Sequence, residues 1–187
     1  MDIINSEVDS LNNLVSDMLD LSKLSNGAID LDIEPFDLSS SVIKTVEKFQ
    51  TLAESEGVNL ICDCEPELVV YGDERRIVEV IYNFISNALK HYGEDKKVII
   101  SAHLINKEKV RVEVKDHGSG IDNEVLPYIW DRYYKNDKKY FRSQTGTGLG
   151  LAICKAILEL HNVEYGVESQ IGEGSTFYFV LNSINIE

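Results

Sequence analysis

Cations, cysteines and long apolar runs are what this sequence has little of. Lys and Arg total 18 against 32 Asp and Glu, a net charge of −14. Such a surface has no basic field to displace counterions from nucleic acid or from an anionic membrane, so neither is expected as a partner. If the ligand is itself an anion, the few basic residues must gather where it binds, and a metal ion is expected to help. The three cysteines, Cys62, Cys64 and Cys154, are sparse and odd in number. With no CxxC and no neighbouring His to complete a zinc pattern, they are expected to be reduced structural thiols in a cytoplasmic setting. No run approaches the ~20 apolar residues of a membrane span, and the acidic N-terminus is unlike a signal peptide, so no direct membrane contact is expected. What is present, 187 residues at 43% hydrophobic and 27% charged, suits one globular domain with an appendage.

The appendage is the N-terminal stretch. Ile4, Val8, Leu11, Val15, Met18, Leu21 and Leu24 recur at helical steps of three and four, and Asn26-Gly27 stops the pattern. A seam this narrow suits a two-stranded or bundle contact, so a partner helix is expected, from an upstream segment or from a second chain as a homodimer; packing on the following domain is the plainer reading. From Leu31 the pattern changes. A short extended segment leads to a helix capped by Asp37 or Ser39 and ended by Gly57. Strands follow at 58–64 and 68–71, and Gly72-Asp73 caps a second helix. Two hairpins are expected, 97–104 with 109–115 and 163–169 with 175–181, with a helical turn at 127–134 and a helix over 148–160 between them. Residues 135–147 read as a mobile basic segment. The expected fold is α+β, a two-layer sandwich whose mixed, mainly antiparallel sheet is covered by helices on one face and preceded by the long N-terminal helix.

The second helix carries an unusual polar stripe. Val80, Ile81, Phe84, Ile85, Ala88 and Leu89 form its apolar arc, and Glu79, Asn83, Asn87 and Lys90 fall opposite. Two asparagines one turn apart are a costly choice in a helix, because the amide competes with the backbone. Taken alone the stripe is equally a solvated face. Three further stretches need explaining with it. A strand ends in Asp116 and runs into His117-Gly118-Ser119-Gly120-Ile121, where a carboxylate could accept from an amine while the glycines let the backbone close on a flat ligand; alone, DxGxG is more often a turn. Gln144 to Leu151, QTGTGLGL, opens a helix with glycines whose N–H groups can meet phosphate oxygens, although it is neither a Walker loop nor a dinucleotide fingerprint. Between them, aromatics alternate with cations from Ile129 to Lys135, and Lys138, Lys139 and Arg142 continue the basic run.

NFISNALKH, DHGSGI, WDRYYK and GTGLGLAI, in this order and spacing, resemble the asparagine, first glycine, aromatic and second glycine boxes of sensor histidine kinases. Residues 31–185, with GSTFYFVL near their end, resemble the ATP-binding catalytic domain of that family, and residues 1–27 resemble the second helix of its dimerisation domain. The resemblance implies a superfamily shared with gyrase, mismatch-repair ATPases and heat-shock chaperones, with ATP and Mg²⁺ as cofactors. It implies Asn87 as the magnesium ligand with Asn83 nearby, Lys90 on phosphate, and Asp116 on the adenine amino group. Gly118, Gly120 and Ile121 would border the ring, and His91, where relatives usually carry Tyr, would stack beside it. Trp130 and Tyr133 would anchor a lid, Arg132 or Lys135 would reach the phosphates, and Thr145, Gly146, Thr147, Gly148, Leu149 and Gly150 would cradle them. Thr176 is implied as a water-linked adenine contact.

One position separates enzyme classes. The related ATPases place Glu one turn before the magnesium asparagine as a base for water, and here that position is Asn83. An amide cannot take a proton from water near neutral pH, so ATP is expected to be held for a nucleophile needing no base, such as a neutral imidazole. The four histidines, His91, His103, His117 and His161, sit in no H-E-x-x-[TS]-P setting. The chain is therefore expected to be a C-terminal portion that donates to a histidine of a separate phosphoacceptor domain, with a response regulator downstream, and not to phosphorylate itself. Alternatives are a serine kinase of the anti-sigma-factor type and a non-catalytic nucleotide-binding module.

Overall fold

The computed structural model describes residues 14–24, 29–131 and 148–184. Residues 14–24 form helix α1. It is followed by β1 (Glu34–Asp37), α2 (Leu38–Glu56), β2 (Asn59–Cys64), β3 (Val69–Gly72), α3 (Glu74–His91), β4 (Lys97–Asn106) and β5 (Lys109–Asp116). After a 3-10 turn at Leu126–Tyr128 come α4 (Gly150–Leu160), β6 (Tyr165–Gln170) and β7 (Gly174–Asn182).

Local chemistry sets the boundaries of the helices. Asp37 caps α2 by accepting from the Ser40 N–H at 2.9 Å, and Asp73 caps α3 by accepting from Arg76 N–H at 3.1 Å. Gly57 ends α2 in the left-handed conformation, φ 67°, which a residue with a side chain adopts only at a cost. The apolar arcs then bury as their periodicity requires: Leu38, Val42, Val46, Phe49 and Ala53 of α2, and Ile77, Val80, Ile81, Phe84, Ile85 and Ala88 of α3.

The five-stranded sheet has the order β2-β4-β5-β7-β6, with β2 parallel to β4 and every other pair antiparallel. The parallel pair needs a crossover, and β3 with α3 supplies it. Along β5, Val110, Val112, Val114 and Asp116 face the helices and are buried, while Arg111, Glu113 and Lys115 face away. On that outer face the Arg111 guanidinium lies 3.7 Å from the Tyr178 ring centre and pairs with Glu113 and Glu168. The α+β architecture with helices on one face is as expected. One feature differs. β1 and β3 form a separate antiparallel ribbon, joined to the main sheet through a single bridge between Val70 and Ser183.

The N-terminal seam divides. Leu21 and Leu24 are buried in the domain core, whereas Val15 and Met18 are exposed, Met18 at 46%, as is Leu19 beside the seam. The domain thus anchors the end of α1 and leaves the upstream part of the seam uncovered among the described residues.

Candidate functional site

Helix α3 presents Asn83 and Asn87 half-buried on one stripe, with Lys90 and His91 exposed at its C-terminal end. Both end residues keep open surface, yet enough protein crowds them for desolvation to lower the Lys90 pKa, and desolvation with the Lys90 charge to lower that of His91. Glu79 begins the stripe and is held by Arg76 at 2.8 Å. Arg76 is 6% exposed, and its buried Nε has no hydrogen-bond partner among the described residues.

The carboxylate expected at a strand end is there. Asp116 closes β5, 2% exposed, with its Oδ1 accepting from Gly118 N–H at 2.8 Å. Burial raises its pKa to about 6, against the opposing pull of the Gly118 and Ser175 N–H groups and the nearby His117. The glycines around it are required by backbone contact. A Cβ on Gly118 would overlap the His91 carbonyl oxygen, and one on Gly93 would overlap the His117 carbonyl. A pocket rim thus forms where the end of α3 meets the loop after β5, latched by His117 Nδ1 and Asp95 Oδ2 at 2.6 Å. Gly120, φ 69°, lies against the Gln170 carbonyl, and Ile121 N–H donates to Ser169 Oγ at 2.8 Å, tying the far side of the loop to the β6–β7 hairpin.

The register of β5 and β7 alters one expectation. Ser175 pairs with Asp116 on the helix-facing side, while Thr176 pairs with Lys115 on the outer side. Thr176 is therefore not brought to this pocket, and Ser175 is. Its backbone N–H and its buried side chain, with Oγ 2.9 Å from Ser169 Oγ, stand beside the carboxylate. Two adjacent hydroxyl residues left the sequence with no way to choose between them, because a one-residue slip exchanges the faces.

Gly148, φ 72°, and buried Leu149 lead into α4. Unlike Asp37 and Asp73, the cap residue Leu149 offers no side-chain acceptor to the first turn, and a helix start of this kind suits an external anion. Gly150 packs on α3 so closely that a Cβ there would lie 3.1 Å from Asn83 Oδ1. Trp130 is fixed by edge-on contacts with Phe84, Phe177 and Tyr165, ring centres 6.3, 5.8 and 5.2 Å away, so the segment after it starts from an anchored point. Arg132, Tyr133, Lys135, Thr145, Gly146 and Thr147 lie outside the described residues, as does the basic run.

Among the described residues no cluster of three or more His, Cys, Asp and Glu could hold a metal by itself. The two amides fit a different kind of ion, a hard cation that brings phosphate and water ligands with it. The arrangement is a buried carboxylate with closely packed glycines at one end and, at the other, two neutral amides, one of them against a helix start with no side-chain cap among the described residues. It matches a purine base followed by a metal-bound polyphosphate.

Residues 72–184 match the family described as histidine kinase-, DNA gyrase B- and HSP90-like ATPases. The chain belongs to this family. It is 34% identical over 189 residues to the hybrid signal transduction histidine kinase L of Dictyostelium discoideum, covering 97% of this chain and 11% of that protein. It is 31% identical over 180 residues to the sensor protein SrrB of Staphylococcus aureus, covering 96% and 30% respectively. The chain thus spans less than a third of either relative. Among solved structures, full-length ShkA in complex with AMPPNP superposes with a TM-score of 0.86 at 26% identity, over 98% of this chain and 38% of that one. The histidine kinase ThkA in complex with the response regulator TrrA gives 0.76 at 25% identity, over 98% and 50%. The domain is a histidine-kinase-type ATPase domain of two-component systems, and the family implies ATP binding. Among the described residues no helix is long and apolar enough to cross a membrane.

Proposed function

We propose that this chain binds Mg²⁺-ATP and donates the γ-phosphoryl group to a histidine of a phosphoacceptor domain in two-component signalling. Residues 1–27 would belong to a dimerisation helix and residues 31–185 would form the catalytic domain. Asp116 accepts from the exocyclic amine of the base, with Ser175 beside it and Gly118, Gly120, Ile121 and His91 bordering the ring. Asn87, with Asn83 adjacent, holds the metal, and Lys90 and the turn at Gly148–Gly150 face the phosphates. The ion supplies neutralisation of the charge on the phosphate oxygens. The exposed Val15, Met18 and Leu19 are the surface offered to a partner helix in a homodimer or to an acceptor domain.

One observation carries the assignment of transfer over hydrolysis. Among the described residues, the stripe has an amide, Asn83, next to the start of α4, and its carboxylate, Glu79, is a turn further back and engaged by Arg76. With no free base at that point, water is not activated, and an incoming imidazole with its own lone pair is the fitting nucleophile. None of the chain's histidines is placed to be that acceptor. His117 is paired with Asp95, His103 lies between Asp63 and Glu65 on the outer sheet face, His161 is hydrogen-bonded to backbone on both nitrogens, and His91 borders the base. Titration with ATP tests the site. Binding should require Mg²⁺ and be lost in Asn87→Asp and Asp116→Asn; binding that survives both substitutions would sink the reading.

A further inference from the structure

Helices α3 and α4 are tied at three levels. Beside the site, Gly150 packs on Asn83. Midway, Cys154 Sγ lies 3.9 Å from the Val80 carbonyl. At the far end, the Asp73 N–H donates to His161 Nε2 at 3.0 Å. At ~1.5 Å per residue, the path from Asn83 back to Asp73 is about 15 Å and the path from Gly150 on to His161 about 16 Å, so the helices run antiparallel in closely matched register. The first two ties are a packing contact and a weak thiol contact, neither of them strongly directional. The third is directional, and its ring cannot turn away, because Nδ1 donates to the Ile157 carbonyl at 2.8 Å and Nε2 is thereby left as the acceptor.

We propose that His161 is a positioning residue for the phosphate end of the nucleotide site. As a neutral imidazole bound to the Asp73 backbone, it fixes how far α4 stands along α3, and so where the Gly148–Gly150 turn lies relative to Asn83 and Asn87. The inference rests on the nucleotide-binding reading above and adds a residue remote from the ligand. The lock also has a place in the wider molecule. The Asp73 carboxylate that caps α3 accepts from Asp32 N–H at 3.3 Å, in the segment arriving from α1.

Protonation of Nε2 removes the acceptor. The charge bearing on the ring is the Asp73 carboxylate at the start of α3, while β3 offers Gly72 and α4 the Ile157 carbonyl. Burial lowers the His161 pKa, opposed by the Ile157 hydrogen bond and by Asp73, so the lock holds at neutral pH and opens on acidification.

Titration of the full chain with Mg²⁺-ATP and, separately, with adenosine tests this. At about pH 7.5, His161→Ala should lose about fivefold or more in ATP affinity while adenosine, which meets only the base end, binds as it does to wild type. His161→Gln, whose Oε1 can accept from Asp73 N–H and cannot titrate, should stay within about twofold of wild type. On acidification the wild-type affinity should fall below that of the Gln variant, since both share the Asp116 titration and only one has the imidazole. A His161→Ala protein that binds ATP normally, or that loses ATP and adenosine alike, would overturn the proposal. Should that variant fail to fold, a wild-type to Gln affinity ratio that stays flat with pH would overturn it as well. A wild-type chain that binds no Mg²⁺-ATP would overturn the nucleotide reading and this inference together, an outcome read from the wild-type titration alone.

Discussion

Gly150 and Asn83 are in contact across the α3–α4 interface, with room for a hydrogen but a tight fit for a methyl group, whose carbon would sit 3.1 Å from Asn83 Oδ1. The start of α4 is therefore set against the Asn83 amide. A change at Gly150 should act on the site while leaving the fold intact.

Gly150→Ala separates stability from binding. Alanine in the first turn of a helix is favoured over glycine by up to about 1 kcal/mol, so the melting temperature should hold or rise. The added methyl must push the Asn83 amide aside by a few tenths of an ångström, and Mg²⁺-ATP affinity should fall several-fold. Thermal denaturation and calorimetric titration on one preparation check both halves. Affinity at the wild-type level would mean that the Asn83 position does not matter.

The Asp116 titration gives a pH dependence with a definite sign. Its pKa is raised from about 3.8 to about 6, so the apo fold favours the neutral carboxyl, and the stability this confers is present at low pH and lost as pH rises through 6. Asp116→Asn should accordingly stabilise the ligand-free chain near neutral pH, by up to about 2 kcal/mol. Base recognition needs the opposite form. An ionised carboxylate accepts from an exocyclic amine, so ATP affinity should be level above pH 7 and decline as pH falls through 6. Urea unfolding and ATP titration across this range provide the two curves.

Trp130 reports on an aromatic cluster. It is the chain's single tryptophan and is held among Phe84, Phe177 and Tyr165. Trp130→Ala should cost about 3 kcal/mol by leaving a cavity in this cluster, and Trp130→Phe about 1 kcal/mol. Chemical denaturation measures both. Equal stability of the two variants would show that the aromatic contacts hold nothing in place.

The sequence carried the elements and the ends of the site but little of how they meet. Helical periodicity and cap signals put the start of α2 at Asp37 or Ser39 and that of α3 at Gly72-Asp73, because those signals are local. Asp116 with its glycines, and the amide stripe, were legible for the same reason. The separate β1–β3 ribbon was not, since a strand's spacing does not name its neighbour. Neither was Ser175, because the register of β7 on β5 decides which of two adjacent hydroxyls faces Asp116. Nor does any local pattern mark Arg76, which the fold buries against Glu79. The bond from Asp73 to His161 spans 88 positions and leaves no mark in either local pattern.

The proposed chemistry delivers phosphate to an imidazole and spares water. Radiolabelled ATP, Mg²⁺ and the chain should be incubated with and without a separately produced phosphoacceptor domain, and label on protein and phosphate released to solution should be counted together. Acid-labile label is expected on the acceptor domain, with none on this chain and phosphate release far below about one turnover per second. Phosphate release near that rate with the acceptor left unlabelled would contradict this chemistry.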